Sequence, residues 1–159
     1  HTFPPTATTS TVFTVGGEDG GNSSNGNGSK YVAYCWAEIP GYSKFGQYKG
    51  NGSADGPYVH LGFRPALLIQ RRIDSGDHWI IRDSTRNTDN PVYSILNPNA
   101  SSSEFGSSGH VQNVDFLSNG FKITGSDSGH NGSTGTYLYM AFAEQTALTA
   151  FDQANPNAR

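Results

Sequence analysis

The stretch PALLIQRRIDSGDHWIIRD, residues 65–83, decides the fold. Residues 65–73 form the most apolar run of the chain, and residues 78–83 form a second apolar run after the tetrapeptide DSGD. Asp, Ser and Gly are typical turn residues, and two short apolar runs around such a turn predict a β-hairpin. Because its run is so apolar, the first strand of this hairpin is expected in the centre of a sheet.

Further short strands are predicted on both sides of the hairpin. The aromatic run KYVAYCWAEI at residues 30–39 predicts a buried strand, and Ser118-Asn119-Gly120 favours a second tight hairpin turn. The predicted strands are residues 30–39, 43–49, 57–61, 111–117, 121–124 and 136–144, with residues 92–96 as a short strand or a turn.

The spacing of these runs predicts an all-β fold. About nine short strands joined by turns, with no amphipathic helix, are typical of two packed sheets. We expect an antiparallel β-sandwich of the jelly-roll kind with long Gly-, Ser- and Asn-rich loops, among them residues 84–110 and 125–134. A β-barrel is the alternative, and the sequence leaves the strand order open.

The ends of the chain differ from its middle in composition. Residues 1–29 predict an extended linker followed by a flexible loop, since Pro, Thr and Ser precede the run GGEDGGNSSNGNGS. Residues 30–144 form the predicted sandwich domain. Residues 145–159 form a polar C-terminal tail with a short helix at 146–153. The chain begins with His1, which we interpret as the start of an internal fragment or a processed chain.

Composition and charge exclude several classes of function. Charged residues make up 14% of the chain and hydrophobic residues 34%, while 20 residues are Gly. The formal net charge of −3 leaves no basic surplus for phosphates, so we expect no nucleic-acid partner. No apolar run approaches the length of a membrane span, so no membrane insertion is expected. The single cysteine, Cys35, cannot form an internal disulfide.

One internal similarity is visible. Residues 31–38 (YVAYCWAE) and residues 137–144 (YLYMAFAE) both open with Tyr and close with an aromatic residue, Ala and Glu. This similarity predicts two alike core strands that pair in one sheet, and a true duplication is the alternative.

The aromatic residues are the main functional signal. The chain has eight Tyr, nine Phe and two Trp, and an exposed ring beside polar groups can stack on a sugar while the polar groups hold its hydroxyls. The alternative for each ring is a place in the core or in a subunit interface. Trp36 and Phe142 are expected in the core. The candidate ligand-binding residues are Tyr42, Tyr48, Tyr58, Trp79, Tyr93 and Arg64.

Two arginines stand in apolar surroundings. Arg82 adjoins Asp83, and Arg64 can reach Asp55, so either can form a buried bidentate ion pair. We expect these arginines to be architectural rather than to contact a ligand.

The sequence predicts a domain without catalysis. No nucleophile motif is present, and Cys35 is expected in the core. The five histidines lack the spacing of a zinc site. His60 and His78 are expected to make surface hydrogen bonds, and a shared metal site is the alternative if their strands are neighbours. Asp74, Asp77, Asp83 and Asp127 are expected to form turns, and no metal or cofactor is predicted. A glycosidase needs two acids across a sugar cleft, and nothing in the sequence selects such a pair.

Several motifs together carry a family resemblance. They are YVAYCWAE (31–38), GYSKFGQY (41–48), GNGSADGP (50–57), GFRP (62–65), VDFLSNGFKI (114–123) and YLYMAFAE (137–144). As a set they resemble a domain of tail-associated and fibre proteins of cyanophages and other marine phages, where it often follows a concanavalin-like lectin domain. The resemblance covers residues 30–144 and brings no catalytic residues with it.

The resemblance implies a virion location and a role in host attachment or fibre architecture. We therefore expect a virion domain that binds a glycan or protein of the host surface and contacts other virion proteins. A homo-oligomer is expected, with a trimer favoured, as is common in fibres. The alternatives are a purely structural module that self-assembles and a polysaccharide hydrolase.

Overall fold

The computed structural model describes residues 9, 11–15, 28, 30–107, 109 and 111–144. The chain divides into two compact units, residues 1–36 and residues 37–159. The predictions of a flexible loop at residues 16–29 and of a helix at 146–153 fall outside the described residues, except at Gly28.

In the first unit, residues 30–36 run in an extended, exposed segment. The rings of Tyr34 and Trp36 stack with their centroids 6.1 Å apart, and Cys35 between them is exposed. None of the described residues of this unit pairs in a β-ladder. The prediction of a buried strand at 30–39, with Cys35 and Trp36 in the core, is therefore wrong. An aromatic run supplies β propensity, but a strand also needs a neighbour for its backbone hydrogen bonds.

The described residues of the second unit form seven strands in two antiparallel sheets, which confirms the all-β sandwich. The four-stranded sheet has the order β1 (Ser43–Lys49), β7 (Thr136–Phe142), β3 (Leu67–Arg72) and β4 (Ile80–Asp83). The three-stranded sheet has the order β2 (Tyr58–His60), β6 (Gly120–Ile123) and β5 (Val114–Leu117). The sheets are not closed into a barrel.

Both predicted hairpins are confirmed. In the first, β3 pairs with β4 and places Leu68 opposite Arg82. In the second, β5 pairs with β6 across a turn that contains Asn119. In each case, turn residues between two apolar runs specify the pairing locally, without help from distant parts of the chain.

Aromatic rings join the two sheets at the core. Phe121 of the smaller sheet packs edge-on against Tyr48 and Tyr139 of the larger sheet, with ring centroids 6.0 and 5.5 Å apart. The buried cluster around them consists of Leu61, Phe63, Leu68, Val92, Val114, Phe116, Ile123, Tyr137 and Ala141.

Three further predictions are corrected. Of the two similar segments 31–38 and 137–144, only the second belongs to a strand, so they do not pair. Phe142 is half-buried on the face of its sheet opposite the core cluster. The Gly-rich segment 125–134 contains one helical turn, α1 (Ser128–Asn131). In the described ranges, no helix has the length and apolar character needed to cross a membrane.

Candidate functional site

A cleft of about 240 Å³ opens beside the N-terminus of α1. Its walls come from the loop between β3 and β4, the start of β4, the segment that precedes β5, and the first turn of α1. The lining residues are Asp77, His78, Ile80, Asn97, Phe105, Gln112, Asp127, Ser128 and Gly129. The cleft thus combines two carboxylates and several neutral polar groups with one phenyl ring.

Asp127 is the N-cap of α1 and the better anchored of the two carboxylates. Its Oδ1 accepts hydrogen bonds from the backbone N of Gly129 at 2.7 Å and from Gln112 Nε2 at 2.5 Å. The backbone N of Asp127 donates to the carbonyl of Val111 at 3.1 Å. The first N–H groups of a helix lack intrahelical acceptors, which is why Asp is favoured at this position. These bonds fix the Asp127 carboxylate in the wall of the cleft.

Asp77 brings the second carboxylate to the same place. Its Oδ2 is buried, lies 4.0 Å from Arg72 Nη1, and accepts no hydrogen bond from the described residues. A Cβ placed on Gly129 would stand 2.9 Å from Asp127 Oδ1 and 4.0 Å from Asp77 Oδ1. Both carboxylates therefore converge on Gly129, where the missing side chain leaves room.

The phenyl ring and the amide are positioned by a segment outside the two sheets. A β-bridge joins Ile95 to Phe105, and another joins Leu96 to Ile81 of β4. Asn97 Nδ2 donates to the carbonyl of Trp79 at 2.8 Å. Phe105 is 38% exposed, so part of its ring offers apolar surface at the cleft.

A buried polar network supports the cleft from inside. The fully buried Arg82 donates from Nη2 to the carbonyl of Gln112 and from Nη1 to Gln70 Oε1, both at 2.6 Å. Gln70 Nε2 donates to the Tyr48 hydroxyl at 3.0 Å, and that hydroxyl donates to the carbonyl of His130 at 2.7 Å. The network therefore ties the wall residue Gln112 and the helix α1 to the inner face of the larger sheet.

Burial dominates the electrostatics of this network. It lowers the pKa of Arg82 to about 10, while the nearby Tyr48 and Asp127 act in the opposite direction. Burial likewise raises the pKa of Tyr48. Because a pKa of about 10 lies well above neutral pH, the Arg82 guanidinium remains charged inside the network.

Two expectations about polar residues are corrected here. Arg82 is architectural, but its partners are Gln70 and the backbone of Gln112, and the side chain of Asp83 bonds to Arg86 instead. Arg64 is exposed, and Asp55 forms its ion pair with Lys122 Nζ at 2.6 Å.

His60 and His78 are both exposed, whereas His130 lies in the interior. This residue is fully buried in the last turn of α1, and its carbonyl accepts the hydrogen bond from Tyr48. Helix α1 places His130 in the interior of the domain, and the Gly-rich sequence around this residue did not indicate that position.

The structure separates the three candidate tyrosines that precede the central hairpin. Tyr42 is half-buried against Phe142, with ring centroids 6.4 Å apart. Tyr48 is 7% exposed and stacks on Tyr137 inside the core, so its ring does not reach the surface. Tyr58 is 45% exposed, and its hydroxyl donates to Asn119 Oδ1 at 2.7 Å.

The other three candidates lie at separate places. Trp79 is half-buried beneath the Arg71 guanidinium, whose carbon stands 5.4 Å from the ring centroid. Tyr93 lines a recess of about 220 Å³ formed by residues 86–93, and Arg64 lines a third one of about 450 Å³ beside Phe63. None of the six candidates lines the cleft at Asp77 and Asp127.

Sequence reasoning singled out both carboxylates of the cleft only as turn residues. The sequence motifs at these two positions are the loop GSDSG around Asp127 and the DSGD turn that ends at Asp77. Nothing in the sequence indicates that these two loops meet, because 49 residues and three strands lie between Asp77 and Asp127. In the described part of the chain, no group of three or more His, Cys, Asp or Glu side chains is placed to hold a metal ion.

Comparison with known families adds one match. Residues 1–146 match the profile of a family described as a domain of unknown function, DUF7483. The chain belongs to this family. The match spans every described strand of this DUF7483 domain and all residues of the cleft. Comparison with the curated proteins and with the solved structures gives no match.

Proposed function

We propose that this domain is a virion module that binds a glycan of the host surface in the cleft at Asp77 and Asp127. The observation that carries the proposal is the convergence of two carboxylates and a partly exposed phenyl ring in one cleft. Sugar sites commonly combine an apolar surface with a few fixed hydrogen-bonding groups.

The polar groups suit the hydroxyls of a sugar. The Asp77 carboxylate lines the cleft, and a carboxylate accepts hydrogen bonds from ligand hydroxyls. Phe105 supplies a surface for the C–H face of a sugar ring. A volume of about 240 Å³ suits a single sugar residue, such as a terminal or branch residue.

The charge of the cleft restricts the charge of the sugars that it can bind. Two carboxylates line it, and among its other lining residues none is Lys or Arg. Like charges repel strongly in a partly buried site. The cleft is therefore suited to neutral or amino sugars rather than to uronic or sialic acids.

The virion location rests on the resemblance to phage tail and fibre domains over residues 30–144. This resemblance implies a role in host attachment, which agrees with a site for one sugar residue. Binding without hydrolysis is favoured because Asp127 is committed to capping α1 and bonding Gln112. A general acid must be able to exchange its proton with the glycosidic oxygen.

The test is a glycan array probed with the whole chain, followed by titration of the best ligand. We expect Asp77→Asn to weaken binding about 10-fold or more, because the amide replaces one acceptor oxygen by an NH2 donor and removes the charge that strengthens hydrogen bonds from hydroxyls. Asp89→Asn, at an exposed residue outside the cleft, is the matched control and should bind like the wild type.

Two results would contradict the proposal. One is an array without signal for neutral and amino sugars. The other is equal affinity of the wild type and Asp77→Asn for a ligand that does bind. Release of reducing ends from that ligand, abolished by Asp127→Asn, would instead identify a hydrolase.

A further inference from the structure

The outer face of the larger sheet carries a row of apolar side chains across its centre. The strand registers align Phe45, Met140, Ile69 and Ile81 in one row across β1, β7, β3 and β4. A β-bridge extends this row to Leu96, which is 38% exposed. In a β-strand, alternate residues point to the same face, so all five side chains lie on one side.

The polarity of this sheet differs from that of a solvated sandwich, although its inner face carries the core residues Leu68, Tyr139 and Ala141. Its inner face, which contacts the smaller sheet, carries the polar residues Gln70 and Arg82, both fully buried. An antiparallel sheet with one face in water normally alternates apolar residues inside and polar residues outside. The central row of the outer face has no polar residue, which indicates that another surface covers it.

The described elements do not cover the outer face. Helix α1 contacts the inner side, where Tyr48 bonds to His130, and the smaller sheet packs there through Phe121. In the described ranges, no strand or helix packs across the row centred on Met140, whose members other than Leu96 are half-buried.

The surface is large enough for a protein partner. Four strands about 4.8 Å apart and side-chain rows about 6.8 Å apart give a face of roughly 500 Å². Stable interfaces bury about 800 Å² on each partner, of which the centre is apolar and the rim polar. A face of this area can form the apolar centre of such an interface.

We propose that the outer face binds the same face of a second copy of this chain. Two sheets pack face to face when their twists match, and an identical sheet has the same twist. A two-fold axis makes such a contact self-complementary.

The charges at the two ends of the face select the direction of that axis. At one end, Lys49 and Arg71 lie on the outer face and form no ion pair with a described carboxylate. At the other end, Asp83 and Glu104 share a single guanidinium, that of Arg86, and leave a net negative charge. The rows run across the strands, so a two-fold axis parallel to the rows reverses the strand direction between the two copies. This axis places the positive end of each copy over the negative end of its partner.

This inference does not depend on sugar binding, because the cleft lies outside the outer face. The test is sedimentation equilibrium of the whole chain, whose monomer mass is 17.0 kDa. The wild type is expected at twice that mass. Met140→Lys should raise the dissociation constant at least about 30-fold, since it buries a charge at the centre of the interface. Val111→Lys, at an exposed residue, is the matched control.

A second variant keeps the test decisive if Met140→Lys fails to fold. Arg71→Glu changes the rim and should raise the dissociation constant about 10-fold at low salt, with a smaller effect at high salt. Circular dichroism verifies the fold of each variant. A monomeric wild type at high micromolar concentration, a trimer, or variants that all dimerise like the wild type would overturn the proposal.

Discussion

The hydroxyl of Tyr48 makes two hydrogen bonds inside the sandwich, one with Gln70 and one with the carbonyl of His130. Tyr48→Phe removes both and leaves two buried polar groups without this partner. We expect a loss of about 1–3 kcal/mol in the free energy of unfolding, measured by urea denaturation. Tyr58→Phe is the control, since its hydroxyl is on the surface, and should change stability by about 0.5 kcal/mol or less. Equal effects of the two variants would contradict the role of the network.

For single residues, the sequence predicts the role of a side chain better than it predicts the groups to which that side chain bonds. It indicated that Arg82 is architectural, because an arginine in an apolar strand needs buried acceptors. It could not indicate Gln70 and the backbone of Gln112 as those acceptors. The choice depends on the pairing of β3 with β4 and on the path of the chain before β5.

Among the elements, the helical turn α1 has the most direct consequence for the cleft. Gly129 lies between the two carboxylates, and a methyl group there would crowd Asp127 Oδ1. We expect Gly129→Ala to displace the carboxylate and weaken glycan binding about 10-fold, with about 1 kcal/mol lost from the helix cap. Isothermal titration with the glycan identified on the array measures the effect.

The matched control for this element is Gly76→Ala, in the loop between β3 and β4. A Cβ at Gly76 meets no atom within 4 Å. The variant Gly76→Ala should leave both the affinity for the glycan and the free energy of unfolding unchanged. Weakened binding in the control, or unchanged binding in Gly129→Ala, would show that the ligand does not use the space between the carboxylates.

The elements differ in how well the sequence predicts them. The hairpins at residues 65–83 and 114–123 are specified by local turn chemistry, and both form. Residues 31–38 have an equally strong strand pattern, but pairing depends on a neighbour that the pattern does not name. The turn α1 was missed because its four residues include Ser, Gly and Asn, which are poor in helix interiors.

For the whole molecule, the carboxylates predict loss of stability in acid. Hydrogen bonds from Lys122 and Arg72 lower the pKa values of Asp55 and Asp74, respectively. Burial acts to raise the pKa of Asp83, but hydrogen bonds from Arg86 outweigh it and lower the pKa. A lowered pKa in the folded state stabilises above the unfolded-state value, and this contribution disappears as the pH falls through the folded-state value.

Burial raises the pKa of Asp115, which acts in the opposite direction, so three of these four carboxylates favour lower stability in acid and one opposes it. We therefore expect the free energy of unfolding to decrease as the pH falls below about 4. Denaturation curves between neutral and acid pH measure this decrease, and Asp74→Asn should make it less steep. A stability that stays constant down to about pH 3 would contradict the assignment.

The candidate site depends on the fold of the whole molecule, and for this reason the sequence did not predict it. Asp77, Phe105 and Asp127 come from three segments that meet only when both sheets have formed. Aromatic side chains were the sequence signal for a ligand, yet Tyr48 serves the core. The aromatic contact at the cleft is Phe105, in a segment predicted as a loop.

Trp79 gives the molecule an optical probe of its own assembly. Its indole lies under the Arg71 guanidinium, beside the apolar row of the larger sheet. The chain has only one other tryptophan, Trp36, which belongs to the first unit and is 55% exposed. When Trp36 is replaced by Phe, all tryptophan fluorescence originates at the border of this face. Emission wavelength and quenching then report in real time whether water or protein occupies it, without any added label.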